Sequence, residues 1–230
     1  MVDYRNYEVD GIKMYKSDFN IRWIEKHLKK KPEVIVEFGS YDGGDGVFYK
    51  KSFPNAEVYS LEACSERFKV IQKLDKKFDI HTFNYAVCEY NGFADFYSVK
   101  DPNVMDHEDK FGSSGSLNQR TEKYKNQFTH IKEQEAKKVP CIRLDTFCEN
   151  NNIKNIDFLH VDVEGAEHRV VQGFGELRPS ILWMETYLGK DYYGKNAYVT
   201  SELNKMILDM GYIIAEKTPA DTLYVYNNFK

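Results

Sequence analysis

Short β-branched runs that stop at a glycine or an acid, each followed by a stretch with helical spacing, constrain this chain more than any other feature. Val34-Ile35-Val36-Glu37-Phe38 is such a run and ends at Gly39. Ala56 to Leu61 is a second, and Ser65 is placed to cap a helix running to about Lys77. Ile80 to Val87 is a third, followed by an Asn91-Gly92 turn and an Ala94 to Val99 strand, which together read as a hairpin. Ile156 to Val163 carries the strongest central-strand signal, with a helix opening near Gly165. Ser180 to Met184, a helix from about Ala197 to Met210, and an antiparallel pair, Tyr212 to Ala215 with Thr222 to Tyr226, close the chain. Alternation of this kind predicts an α/β fold: a mostly parallel sheet with right-handed crossovers and helices on both faces. Ligands of such sheets lie outside the carboxyl ends of the strands, so the residues just after each strand are the ones to inspect.

Composition narrows the partners. The 230 residues hold 36 acidic and 32 basic side chains, a net charge of −4, which argues against a nucleic-acid surface built on a basic excess. No run is long and apolar enough for a membrane span, and MVDYRNYEVD lacks an apolar signal core, so a cytoplasmic protein is expected. Cys64, Cys88, Cys141 and Cys148 form no metal-site spacing and read as buried free thiols. Lys100 to about Lys138 breaks the alternation. It is polar, with a Gly/Ser core and a short helix near Gln119 to Phe128, and reads as a lid or binding insertion.

The strand ends are polar. Glu37-Phe38-Gly39-Ser40-Tyr41-Asp42-Gly43-Gly44-Asp45-Gly46 allows a tight turn that brings ligand close to backbone N–H groups. The dinucleotide pattern GxGxxG is not met, because Tyr49 stands where a third glycine is needed. Glu62 ends the second strand, where a carboxylate accepts hydrogen bonds from both hydroxyls of a ribose. Asn84-Tyr85-Ala86 ends the third and offers a flat, amide-edged seat for a purine. By the two-residue period His160, Asp162 and Glu164 share one strand face, and Glu167 follows in the first helical turn. Carboxylates so close repel unless a cation compensates: a sulfonium, a divalent metal or a nearby Lys or Arg. Glu185 adds a further acid to the same edge.

These segments together resemble the FkbM family of S-adenosylmethionine-dependent methyltransferases. The likeness rests on Glu37 to Gly43, Leu61-Glu62, Asn84 to Ala86, Arg143-Leu144-Asp145, His160-Val-Asp-Val-Glu-Gly-Ala-Glu167 and Met184-Glu185, and spans about Val34 to Tyr226. It departs from the family at Ser40-Tyr41, where Gly-Ala-Asn is common, and at His160, often lysine. The resemblance implies a Rossmann-like class I methyltransferase: a seven-stranded sheet with a C-terminal antiparallel hairpin over residues 33–230, a substrate-side insertion at 100–138, and a helical extension at 1–32. It implies S-adenosylmethionine held by Glu37, Gly39 and Gly43 at the methionine portion, Glu62 at the ribose, and Asn84, Tyr85 and Ala86 at the adenine, with Ser40, Tyr41, Ala63 and Asp162 as further cofactor contacts. Asp162, His160 and Glu164 become candidate bases for a sugar or other small-molecule hydroxyl, and Ser113, Ser114, Ser116, Glu164 and Glu185 candidate acceptor contacts. A divalent metal on Asp162 and Glu185 is a further expectation, and the terminal hairpin offers an edge for dimer pairing. The rival readings are a nicotinamide oxidoreductase and a non-catalytic nucleoside-binding protein.

Overall fold

The computed structural model describes residues 5–102, 111–187, 189–194 and 197–227. The part of the expected insertion at 103–110 lies outside them. The chain begins with β1 (Arg5–Val9) and β2 (Ile12–Lys16), then α1 (Arg22–Leu28). The helical extension expected over 1–32 therefore opens with a hairpin and holds one short helix. The cause is local: Asp10 and Gly11 both take positive φ (50° and 77°), the geometry of a two-residue hairpin turn.

Next come β3 (Val34–Phe38), α2 (Gly44–Ser52), β4 (Glu57–Leu61), α3 (Ser65–Ile71), α4 (Asp75–Phe78) and β5 (His81–Phe83). Then follow β6 (Ala86–Val87), β7 (Gly92–Phe96), β8 (Val99–Lys100), α5 (Glu122–Gln127), β9 (Lys132–Glu133), β10 (Lys137–Ile142) and α6 (Leu144–Asn150). The chain closes with β11 (Phe158–Val161), α7 (Glu167–Gln172), β12 (Ile181–Glu185), α8 (Gly189–Tyr193), α9 (Thr200–Asp209), β13 (Tyr212–Lys217) and β14 (Asp221–Tyr226).

Seven strands form the main sheet in the order β13-β14-β12-β11-β3-β4-β5. The five from β5 to β12 are parallel neighbours, and β14 runs antiparallel to both β12 and β13. The order reverses between β3 and β11, which makes their carboxyl ends the switch point where ligands bind. One face packs Val36, Leu61, Leu159, Val161 and Leu182 against α6, α7 and α9. The other packs Ile35, Val58, Phe158, Ile181 and Trp183 against α1 to α4 and Met14 of the hairpin. Among the described residues no helix is long and apolar enough to cross a membrane.

Three local expectations are corrected. The Ile80 to Val87 run breaks at Asn84-Tyr85, so β5 belongs to the main sheet and β6 to a second sheet of order β6-β10-β7. In that sheet β10 lies between β6 and β7, so Asn91-Gly92 does not close a paired hairpin. Helix α3 is capped at Cys64, and the Ser65 hydroxyl instead donates to Asn84 Oδ1 (3.0 Å).

Candidate active site

At the switch point the backbones of β3 and β11 nearly touch. A Cβ on Gly39 would sit 1.7 Å from the Asp162 carbonyl oxygen, and its φ is +85°, so the position takes only glycine. Beside this contact lies a cleft at the carboxyl ends of β3, β4 and β11. Seven of the eleven cofactor candidates line it: Gly39, Tyr41, Glu62, Ala63, Tyr85, Ala86 and Asp162, joined by the acceptor candidate Ser113.

Glu62 does double duty there. It is 7% exposed, and its Oε2 and Oε1 accept the backbone N–H groups of Tyr41 (2.8 Å) and Cys64 (2.6 Å). Tyr41 sits at φ +51°, so the carboxylate pins a left-handed residue that shapes the loop. Each oxygen keeps a lone pair for a further donor. Burial pushes this carboxyl up to about 7 against the pull of those backbone bonds.

The remaining candidates lie elsewhere, each for a traceable reason. Glu37 pairs with Ser60 across β3–β4 and with His160 across β3–β11, on the face covered by α2. Its Oε2 accepts from Ser60 Oγ (2.6 Å) and Ser40 Oγ (3.0 Å), which accounts for Ser40 as well. His160 is 5% exposed, shares a hydrogen bond with the Tyr49 hydroxyl (3.0 Å), and is held below its usual pKa by burial. It is thus beneath the sheet and away from the cleft. The shared face expected for His160, Asp162 and Glu164 does not form, because β11 ends at Val161 and Glu164 turns to φ +55°. Gly43 caps α2 with a Cβ position that faces Leu74 at 2.5 Å. Asn84 spends its amide on the structure: Nδ2 donates to the carbonyls of Glu62 (2.7 Å) and Ala63 (3.2 Å). It braces the ribose and adenine walls from behind.

Asp162 is the reactive-looking group. It opens to the cleft, and no described residue hydrogen-bonds its carboxyl. Enclosure by protein, then the charges of Glu164 and Asp221, push its pKa well above the usual carboxylate range. Around it stand further acids. Glu164 accepts from the Tyr193 hydroxyl, and its backbone carbonyl accepts from Ser116 Oγ (2.7 Å). Glu167 takes the N–H groups of Val163 and Gly165 (both 3.2 Å) and thereby fixes the turn after β11. Glu185 is raised by burial and by Glu164 and Asp162, and its Oε2 has no hydrogen-bond partner.

The compensating cation missed by sequence reading is Arg120, 4% exposed, set against the rings of Tyr124 (4.8 Å) and Tyr193 (5.5 Å). Burial raises the pKa of Glu164, and the charge of Arg120 and a hydrogen bond from Ser114 partly oppose that rise. Arg67, stacked on Tyr41 at 4.1 Å, was also missed. Phe96, Ser98 and Leu117 complete the cleft wall. Among the described residues the three-ligand metal spacing occurs at Glu37, Asp45 and His160, not at Asp162 and Glu185. The expected metal pair therefore lacks a third ligand there.

Several buried acids hold their protons into the neutral range: Glu37 and Glu167 are pushed up to about 8, and Glu62 and Asp42 to about 7, each first by burial. The unfolded chain loses these protons near pH 4.5, so the native state binds more protons between roughly pH 4.5 and 8 and stability falls as pH rises through that window. Circular-dichroism melts should show a lower Tm at pH 8.5 than at pH 6. The expected drop is several degrees, since about 1 kcal/mol moves Tm by roughly 2–4 °C at this size. An unchanged or higher Tm at pH 8.5 contradicts the protonated core.

The sheet order, the glycine contact at the switch point and the strand-end carboxylate beside the cleft define a class I methyltransferase fold. A family model described as the methyltransferase FkbM domain matches residues 34–214, and the chain belongs to that family. It is an S-adenosylmethionine-dependent methyltransferase. Among curated proteins, the 2-O-methyltransferase NoeI of Sinorhizobium fredii is 25% identical over 210 residues, 87% of this chain and 80% of that one. Among solved structures, precorrin-6y C5,15-methyltransferase from Geobacter metallireducens aligns with a TM-score of 0.45 and 9% identity, covering 88% of this chain and 83% of that one. The Methanococcus jannaschii fibrillarin pre-rRNA processing protein aligns with a TM-score of 0.46 and 7% identity, covering 97% and 83%.

Proposed function

We propose that this enzyme methylates a hydroxyl of a sugar or similar small polyol, with Asp162 as the general base. The observation that carries this reading is the unpaired Asp162 carboxyl, open to the cleft and fixed by the Gly39 contact behind it. The 2-O-methyltransferase relative supports an oxygen acceptor.

The cleft residues fit the cofactor by their chemistry. Gly39 and Tyr41 would border its methionine end, Glu62 and Ala63 the ribose, and Leu61, Tyr85, Ala86 and Val87 the purine. When bound, S-adenosylmethionine supplies an electrophilic methyl group. The chain's own residues do the rest. Asp162, in its ionised form, would accept the hydroxyl proton while the methyl group passes from sulfur to that oxygen and the S–CH3 bond breaks; a positive charge seated beside the carboxyl would lower its pKa and favour that form. Ser113, on the cleft wall, would orient the acceptor, with Glu164, held by Tyr193, behind it. Arg120 offsets the accumulated negative charge.

The test is transfer of labelled methyl from the cofactor to a panel of sugars, nucleotide sugars and phenols, with the product bond determined by NMR. A methyl ether on a sugar supports the proposal. Transfer confined to nitrogen or carbon acceptors rejects it.

A further inference from the structure

Next to the cofactor cleft lies a second hollow, of about 370 Å³, that shares Leu117 with it. Its other walls are Glu89, Asn118, His168, Arg169 and Gln172. We infer that this hollow binds a saccharide ring adjoining the sugar that is methylated. The inference rests on the proposed sugar acceptor and adds where the rest of that acceptor lies.

Four features point to a saccharide. First, the wall is polar and pre-set. Arg169 grips Glu89 through Nε (2.7 Å) and Nη2 (3.1 Å), so both are fixed before any ligand arrives. Asn118 is anchored by its Nδ2 to the Gly165 carbonyl (2.8 Å), in the turn that carries Glu164. Fixed donors and acceptors suit ring hydroxyls, because little ordering cost remains at binding.

Second, hydrogen-bonding capacity is left over. His168 Nδ1 is buried without a partner, and an unmet buried group gains from a ligand hydroxyl. Gln172 is exposed at the floor's edge. Third, an aromatic rim adjoins the hollow: Tyr90 is 39% exposed, with the Arg169 guanidinium 5.8 Å from its ring. Such a ring offers an apolar face to sugar C–H groups. Fourth, the alternatives fit badly. Glu89 disfavours a phosphate, and Leu117 alone is too little apolar surface for a peptide side chain or lipid.

The direction is also right. Leu117 lines both hollows, and His168, Arg169 and Gln172 of α7 follow directly on the turn after β11, so a ring in the second hollow lies beside the cleft that Asp162 lines.

Calorimetry in the presence of saturating S-adenosylhomocysteine tests this. Maltose, lactose and mannobiose are each compared with glucose, galactose and mannose on wild type and on the His168→Ala/Gln172→Ala double variant. The inference predicts that at least one disaccharide binds about tenfold more tightly than its monosaccharide, the worth of one or two hydrogen bonds. That gain should vanish in the double variant while S-adenosylhomocysteine affinity stays within twofold. The inference is overturned if no disaccharide outbinds its monosaccharide, or if the gain survives the double substitution. Failure of S-adenosylhomocysteine itself to bind would instead count against the cofactor cleft.

Discussion

Asp162→Asn should lower kcat by about 10²–10⁴, the usual worth of a positioned general base, while leaving S-adenosylhomocysteine affinity within a few-fold. The amide matches the carboxylate in shape, so the Gly39 contact, which involves only the Asp162 backbone, is kept. The pH profile separates this from simple damage. The folded pKa of Asp162 is raised, so the ionised base is scarce at low pH and becomes available as pH rises. Wild-type kcat/KM, which follows the free enzyme, should therefore rise with pH, and the variant should be low and flat. A variant that keeps the wild-type slope at reduced amplitude would place the base elsewhere.

Glu62→Ala should cost at least about 10² in S-adenosylhomocysteine affinity. The carboxylate makes two backbone hydrogen bonds, and bonds to a charged group contribute about 1.5–3 kcal/mol each. Their loss frees Tyr41 from its left-handed pose before any ribose contact is counted. Calorimetry on Glu62→Ala and Glu62→Gln checks this. The glutamine variant accepts through one oxygen only, so it should fall between the other two. Equal affinity in all three proteins would remove Glu62 from the site.

The parallel strands and the terminal hairpin are legible in the sequence because buried strands demand β-branched runs, and the chain supplies them at Val34, Ile156 and Ser180. The Asp10-Gly11 turn is equally legible: the pair stands between two five-residue runs that pair as β1 and β2, which is a hairpin signal rather than a helical one. His160 could also have been placed correctly. The period of two puts it with Phe158, and Glu37 with Ile35, on the face that α2 covers.

Other features are not local. Asn84 binds carbonyls 21 and 22 positions away, so its structural role shows only once β4 and β5 are adjacent. Arg120 meets Glu164, 44 positions away in the turn after β11, through the fold alone, and a lone arginine in a polar insertion announces nothing. Glu164 escaped its predicted face because the strand stops three residues earlier and Gly165 must pass close beneath Tyr193.

The most direct test of the whole account is a crystal structure with S-adenosylhomocysteine bound. The account predicts its ribose hydroxyls on Glu62, its purine between Leu61 and Ala86, and its sulfur turned toward the Asp162 carboxyl. A ligand lodged against another edge of the sheet, or with its sulfur facing away from Asp162, would contradict it.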